Sequence, residues 1–241
     1  MLLTIDVGNT FTNLALFDQE MVKSWNVSSM SEIDLGSIDN LDAIALSCVV
    51  ADAETKIKDK ASKLNVDFFS LNSNTVPKNL FKTKYPNASE IGADFIAGAV
   101  GGIKKYGCPC VVFDLGTATN VDIVDKCGFF IGGIIAPGLQ TSLNALIGKA
   151  SALSDIELKS PESVIGKSTD EAIRSGIVVG EASKIDGLID RIENELGYKV
   201  NVITTGGWAD LVTSHMKHKA HYDKYLILDS LKYIYEQVRQ N

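Results

Sequence analysis

Two short segments, Asp6-Val7-Gly8-Asn9-Thr10 and Asp114-Leu115-Gly116-Thr117-Ala118, each follow one apolar run and precede another. Apolar runs of this length, bounded by Asp and Gly, read as strands joined by tight turns. Setting Asp6 on Asp114 pairs Gly8 with Gly116. After a one-residue slip, Thr12-Asn13 pairs with Thr119-Asn120 and Asp18 with Asp125. A hairpin that recurs in this way, opening on Asp-x-Gly each time, predicts a duplicated domain. With 241 residues the chain suits two domains of about 100 to 120 residues. The break is expected at residues 107 to 110, where Gly107 and Pro109 interrupt regular structure. This gives domains of 1–108 and 109–227, with a final helix over about 228–241 packing back on the first.

The first half reads as an antiparallel meander: Leu2 to Ile5, Asn13 to Phe17 and Val22 to Val27, turning at Gly8-Asn9 and Asp18-Gln19. A strand over Ala43 to Val49, a helix over Ala53 to Leu64 and a short strand from Phe68-Phe69 follow. Residues 72–89 are polar and read as loop, and Ile91 to Tyr106 as a small-residue helix stopped by Gly107. The pattern then restarts with strands at Val111 to Phe113, Asn120 to Val124 and Phe129 to Ile135. Helices are expected over Gly138 to Gly148, behind Pro137, and over Thr169 to Leu196, capped by Thr169 and ended by Gly197. A strand over Val200 to Thr204 enters Thr205-Gly206-Gly207, a helix opens over Trp208 to Met216, and Leu228 to Arg239 closes the chain as an amphipathic helix.

Charge narrows the functional classes. The formal net charge is -7 and no stripe of Lys and Arg appears, which excludes a nucleic-acid surface. Asp6 interrupts the N-terminal apolar run, which lacks the basic start of a signal peptide, and no apolar run reaches membrane-spanning length. Cys48, Cys108, Cys110 and Cys127 have no framework spacing and read as reduced thiols of a cytoplasmic protein. Cys108-Pro109-Cys110 matches no ordinary zinc spacing. His215, His218 and His221 would diverge on a continuous helix, a poor geometry for one metal.

A Gly in a turn between strands lets backbone amides approach a phosphate, and a neighbouring Asp can hold a hydrated cation. One Asp-x-Gly turn is ordinary turn chemistry; two of them, each followed by Thr, point to phosphate binding. Thr205-Gly206-Gly207 sits at a strand-to-helix junction, where open α/β sheets place ligands and where plain turns also fall. Asp94, at the start of a helix, has two readings: a first-turn carboxylate favoured by the helix dipole, or a general base for a substrate hydroxyl. Local sequence favours the dipole.

The ordered set of Asp6 to Thr10, Tyr85, Gly92-Ala93-Asp94, Asp114 to Thr119, Gly132-Gly133-Ile134-Ile135-Ala136-Pro137-Gly138, Ser168 to Ile173 with Gly176, Thr205-Gly206-Gly207 and Leu226 to Glu236 resembles the type III pantothenate kinase family over nearly the whole chain. The resemblance implies an α/β actin/sugar-kinase/Hsp70 fold, with two duplicated ribonuclease-H-like domains around a cleft, in a cytoplasmic homodimer. It implies ATP-dependent phosphorylation of pantothenate, the first step of coenzyme A synthesis, with Mg2+ and a monovalent cation, K+ or NH4+. No nucleic acid or membrane is implied as a partner. Asp6, Val7, Gly8, Asn9, Thr10, Phe11, Thr12 and Asn13 would meet ATP, as would Thr117, Gly206 and Gly207; Asp114 would hold the monovalent cation. Tyr85, Gly92, Ala93, Asp94, Phe95 and Thr169 would bind pantothenate. Asp94 would accept the hydroxyl proton, which reverses the local reading.

One residue departs from the family pattern. Where the family carries an Arg that binds the pantothenate carboxylate, this chain has Phe95, an aromatic ring with no such donors. The favoured expectation is that Lys82, Lys84 or Arg174 replaces it. The alternatives are an altered small hydroxylated substrate, or a kinase-like regulator without turnover.

Overall fold

The computed structural model describes residues 1–50, 52–148 and 156–240, without the side chain of Met30. Its contacts group into two compact units. Unit 1 comprises Met1–Lys105, Phe129–Ile131 and Tyr225–Asn241; unit 2 comprises Tyr106–Gly128 and Gly132–Lys224.

Unit 1 opens with the expected meander, β1 (Leu2–Val7), β2 (Thr12–Asp18) and β3 (Glu20–Val27). After β4 (Ala43–Cys48) come α1 (Ala53–Lys63), β5 (Asp67–Ser70), β6 (Lys82–Thr83) and α2 (Ala93–Tyr106). The sheet order is β3-β2-β1-β4-β5, with β1 antiparallel to β2 and parallel to β4. Alternation along β1 sends Leu3, Ile5 and Val7 to one face, where they pack with Ile57 and Ala61 of α1. β6 was not expected. Two residues inside the polar 72–89 stretch pair with Phe129 and Phe130, because backbone groups there find a strand edge although the side chains are polar.

Unit 2 is built from β7 (Cys110–Leu115), β8 (Ala118–Val124), β9 (Phe129–Pro137, whose first three residues group with unit 1), α3 (Leu139–Ile147), α4 (Thr169–Leu196), β10 (Asn201–Thr205), α5 (Ala209–Thr213) and β11 (His221–Tyr222). Its strands run β9-β8-β7-β10-β11, the same succession of hairpin and parallel crossovers as β3-β2-β1-β4-β5. Val111, Phe113 and Leu115 pack with Val178, Ile185 and Ile189 of α4 in its core. The last helix, α6 (Leu226–Gln240), belongs to unit 1, where Leu228 meets Ala15 and Phe17 on the face opposite α1. It crosses α2 closely: a Cβ at Gly101 would collide with Ser230 Oγ.

Several expectations need correction. The N-cap of α4 is Ser168, not Thr169: Ser168 has the extended backbone that capping requires, and its Oγ accepts from Glu171 N at 3.3 Å. Gly197 ends the helix in the left-handed region (φ 76°), as expected. α5 stops at Thr213, so the three histidines share no helix. His215 Nε2 lies 2.8 Å from Ser160 Oγ, His218 Nε2 lies 3.1 Å from Asp190 Oδ1, and the His221 ring stacks on Tyr106. No metal-binding cluster occurs among the described residues. Cys110 is fully buried at the start of β7, and burial pushes its thiol up to about 12, which keeps it a neutral thiol. Among the described residues no helix is long and apolar enough to cross a membrane.

Candidate functional site

The register of the two hairpins bears out the repeat and its slip. In β1/β2, Asp6 faces Asn13 and Val7 faces Thr12; in β7/β8, Asp114 faces Asn120 and Leu115 faces Thr119. The slip arises because the second turn is one residue shorter. The equivalence extends to the parallel neighbours, where Asp6 pairs with Ser47 and Asp114 with Thr205. Ser47 carries no sequence signal, because it lies in an apolar strand with no motif around it.

In unit 1, Gly8 N donates to Phe11 O at 3.1 Å, closing a turn that leaves Asn9, Thr10 and Phe11 exposed. Val7 and Thr12 are buried in the ladder beneath it, while Asn13 is exposed. Ser47 Oγ donates to Asp6 Oδ1 at 2.9 Å, and the Asn13 side chain also hydrogen-bonds Asp6. Burial nevertheless raises the Asp6 carboxyl from its ordinary 3.8 to about 6, against the Ser47 bond, and the charge of Asp94 pushes the same way. Residues 6 and 94 therefore share one electrostatic environment within unit 1.

Asp94 is in the first turn of α2, where its Oδ1 accepts from Phe95 N at 3.0 Å. That is the contact the dipole reading requires. The same carboxylate lies over Gly92, where an added Cβ would collide with Asp94 Oδ1, so Gly92 is the residue that makes room for it. Ala93 is buried.

Beside Asp94 stands a group of aromatic rings centred on Phe130. Phe95 meets it edge-on at 6.2 Å, Tyr85 lies at 6.3 Å and Phe81 at 5.8 Å. The sequence does not mark Phe130, because nothing local shows that β6 pairs with the start of β9. Two of the cations expected to replace the missing Arg contact Phe129, the neighbour of Phe130. Lys82 and Lys84 hold their Nζ 6.0 and 5.0 Å from the ring of Phe129, and neighbouring residues of a strand face opposite sides. Arg174 is in unit 2, its Nε donating to Glu157 O at 2.9 Å.

In unit 2, Gly116 N donates to Ala118 O at 3.0 Å, and Thr117 O accepts from Gly138 N at 3.1 Å and from Thr141 Oγ1 at 2.6 Å. Gly138 packs so closely that a Cβ there would come within 2.8 Å of Thr117 O. The Thr117 side chain is left exposed. Gly206, at φ 94°, brings its backbone against Asp114, where a Cβ would strike Asp114 Oδ1. Asp114, Gly116, Thr117 and Gly206 thus assemble into one patch, with Gly207 exposed next to it. Thr169 is an exposed residue of the same unit, at the start of α4.

A carboxylate beside a turn of close-approaching backbone, present once in each unit, suits anionic oxygens with their cations. Several known proteins are similar to this chain. The sequence-family description "Type III pantothenate kinase" matches residues 2–191. A type III pantothenate kinase of Roseiflexus castenholzii is 35% identical over 100% of both chains, and one of Streptomyces griseus is 36% identical over 98% of both. Among solved structures, the activator of the 2-hydroxyisocaproyl-CoA dehydratase from Clostridium difficile, with bound ADPNP, covers 99% of this chain and 96% of its own at TM-score 0.55 and 12% identity. MreB5 of Spiroplasma citri, bound to ADP, covers 100% of this chain and 97% of its own at TM-score 0.53 and 12% identity. The fold is that of the actin, sugar-kinase and Hsp70 ATPases, and the chain belongs to the type III pantothenate kinase family.

Proposed function

We propose that this protein transfers a phosphoryl group from ATP to the hydroxyl of pantothenate, the entry step of coenzyme A synthesis. The feature that supports the reading within this family is that the charge of Asp94 acts on the Asp6 carboxyl within unit 1. Asp6 comes from the phosphate-type turn and Asp94 from a helix start far along the chain.

In this reading the turn from Asp6 to Asn13, with Val7, Gly8, Asn9, Thr10, Phe11 and Thr12, binds the phosphates of ATP. Thr117, Gly206 and Gly207 of unit 2 are read as further nucleotide contacts. Gly8 and Gly206 suit that role because their backbones come close to neighbouring groups where a side chain would interfere. Mg2+ bound with ATP supplies charge neutralisation at the transferring phosphoryl. Asp6 fits the hydrated ion, since a nearby cation favours the ionised form that burial alone disfavours. Asp114, packed against Gly206, is suited to hold K+ or NH4+.

Asp94 orients the pantothenate hydroxyl and accepts its proton late, as a loose phosphoryl-transfer transition state requires. Gly92 and Ala93 hold that carboxylate in place, and Tyr85 and Phe95 contribute aromatic wall to the pantothenate pocket, with Thr169 as a further contact. We read units 1 and 2 as the two duplicated domains. In a coupled assay with ATP, Mg2+ and K+, the purified protein is expected to form ADP only when pantothenate is added. No pantothenate-dependent ADP with either K+ or NH4+ would exclude the reading.

We further read the protein as a homodimer. Ile135, Val164 and Ile165 of unit 2 are 71%, 70% and 78% exposed, apolar surface of a kind that subunit contacts cover. Sedimentation at micromolar concentration showing only monomer would remove this reading. The four free thiols and the need for ATP favour the cytoplasm, to be checked by cell fractionation.

A further inference from the structure

Glu181 lies in the middle of α4 and is 7% exposed, amid Val178, Ala182 and Ile185, all fully buried. A carboxylate there is strongly disfavoured unless its oxygens are paired. Both are paired: Thr119 Oγ1 donates to Oε1 at 2.6 Å and Lys184 Nζ to Oε2 at 2.7 Å. Thr119 is itself fully buried, and it is the residue at which the second hairpin re-enters its ladder, opposite Leu115 and next to the Asp114–Asn120 pair.

We propose that Glu181 is a positioning residue for the turn 116–118, acting through the hydroxyl of Thr119. This rests on the reading that the turn contacts ATP. The tip of the turn is held at Thr117 O by Gly138 and Thr141. Its base is held by the bond from Thr119 to Glu181, so α3 and α4 brace the turn at two separate points. A charge-assisted O–H···O bond in a dry site is short and directional, and it fixes the Thr119 side chain together with the backbone that carries it. With the bond gone, the turn keeps only the restraint at its tip, part of its ordering is left to nucleotide binding, and ATP affinity falls by the free energy of that ordering.

The test compares Glu181→Ala, Glu181→Gln, Thr119→Val and Thr119→Ser in the full-length protein. Glu181→Ala and Thr119→Val are expected to raise the Kd for ATP, measured by calorimetry, and the KM for ATP about tenfold each, while the KM for pantothenate stays within about twofold. Glu181→Gln keeps an acceptor for Thr119, and Thr119→Ser keeps the hydroxyl, so both are expected to bind ATP like the parent protein. A merely structural role would lower kcat in step with the folded fraction and leave both KM values unchanged, and that result overturns the proposal. If Glu181→Ala does not fold, the Thr119 pair decides the matter alone. Because Kd is read without pantothenate, a protein that binds ATP but fails to phosphorylate pantothenate sinks the proposed function and leaves this inference to stand or fall on the Kd values. A parent protein that binds no ATP overturns both.

Discussion

Replacing Asp94 by Asn is expected to lower kcat for pantothenate phosphorylation by about 100- to 10,000-fold, the usual worth of a positioned general base. The substitution keeps the size of the side chain and an oxygen able to accept from Phe95 N, so α2 keeps its first turn. It removes the capacity to take a proton. The KM for ATP should change by less than about threefold, because the interaction is made in the transition state for proton and phosphoryl transfer rather than with the nucleotide. A purely structural carboxylate stabilising the helix start would predict the opposite: a stability loss of about 0.3 to 1 kcal/mol with nearly unchanged kcat in the folded protein. Steady-state kinetics and urea unfolding on the same preparation separate the two. Equal turnover by Asp94→Asn and the parent protein would take Asp94 out of the mechanism.

The second large effect is at Asp6, where function and stability should part. If Asp6 holds the cation that neutralises the phosphates, as proposed, Asp6→Asn is expected to lower kcat/KM on the order of 100-fold through loss of that charged contact. It should also make the protein more stable. The Asp6 carboxyl is raised from 3.8 to about 6, so the folded state holds its proton more tightly than the unfolded chain does. The resulting contribution to stability is complete below about pH 4, is lost as pH rises through about 6, and is absent above that. Ionised Asp6 therefore costs the folded protein up to roughly 3 kcal/mol at pH 8, and Asn, which carries no charge, escapes the cost. Unfolding at pH 8 should show the variant more stable by up to about that amount, with the gain shrinking toward zero at pH 4. In the parent protein, kcat/KM should fall on the acid side with an apparent pKa near 6. A variant no more stable at pH 8 than at pH 4 would mean that Asp6 carries no buried charge.

A partly buried carboxylate retained at such a cost is the pattern expected where function rather than stability selects the residue. It also gives a physical basis for the cation. Mg2+ near Asp6 would relieve the repulsion from Asp94 and the desolvation that together disfavour two ionised groups in one site.

Local sequence carried a large share of this protein. The meander of β1 to β3, the restart at β7, the one-residue slip between the hairpins and the full extent of α4 follow from runs of apolar residues, turn residues and a C-terminal Gly, all read within a few positions. The candidate turns were legible for the same reason, since Asp, Gly and Thr act within one loop. Other features were not. Ser47 reaches Asp6 through a parallel crossover, and Phe130 reaches Phe95 and Tyr85 because a two-residue strand pairs far along the chain. Gly138 and Glu181 matter only because other elements press against them. Asp94 shows the division most plainly. By itself it is a carboxylate at a helix start, and sequence chemistry favours the dipole. Its charge is felt at Asp6 because the fold brings the start of α2 and the end of β1 into one unit, a long-range arrangement that no local propensity encodes.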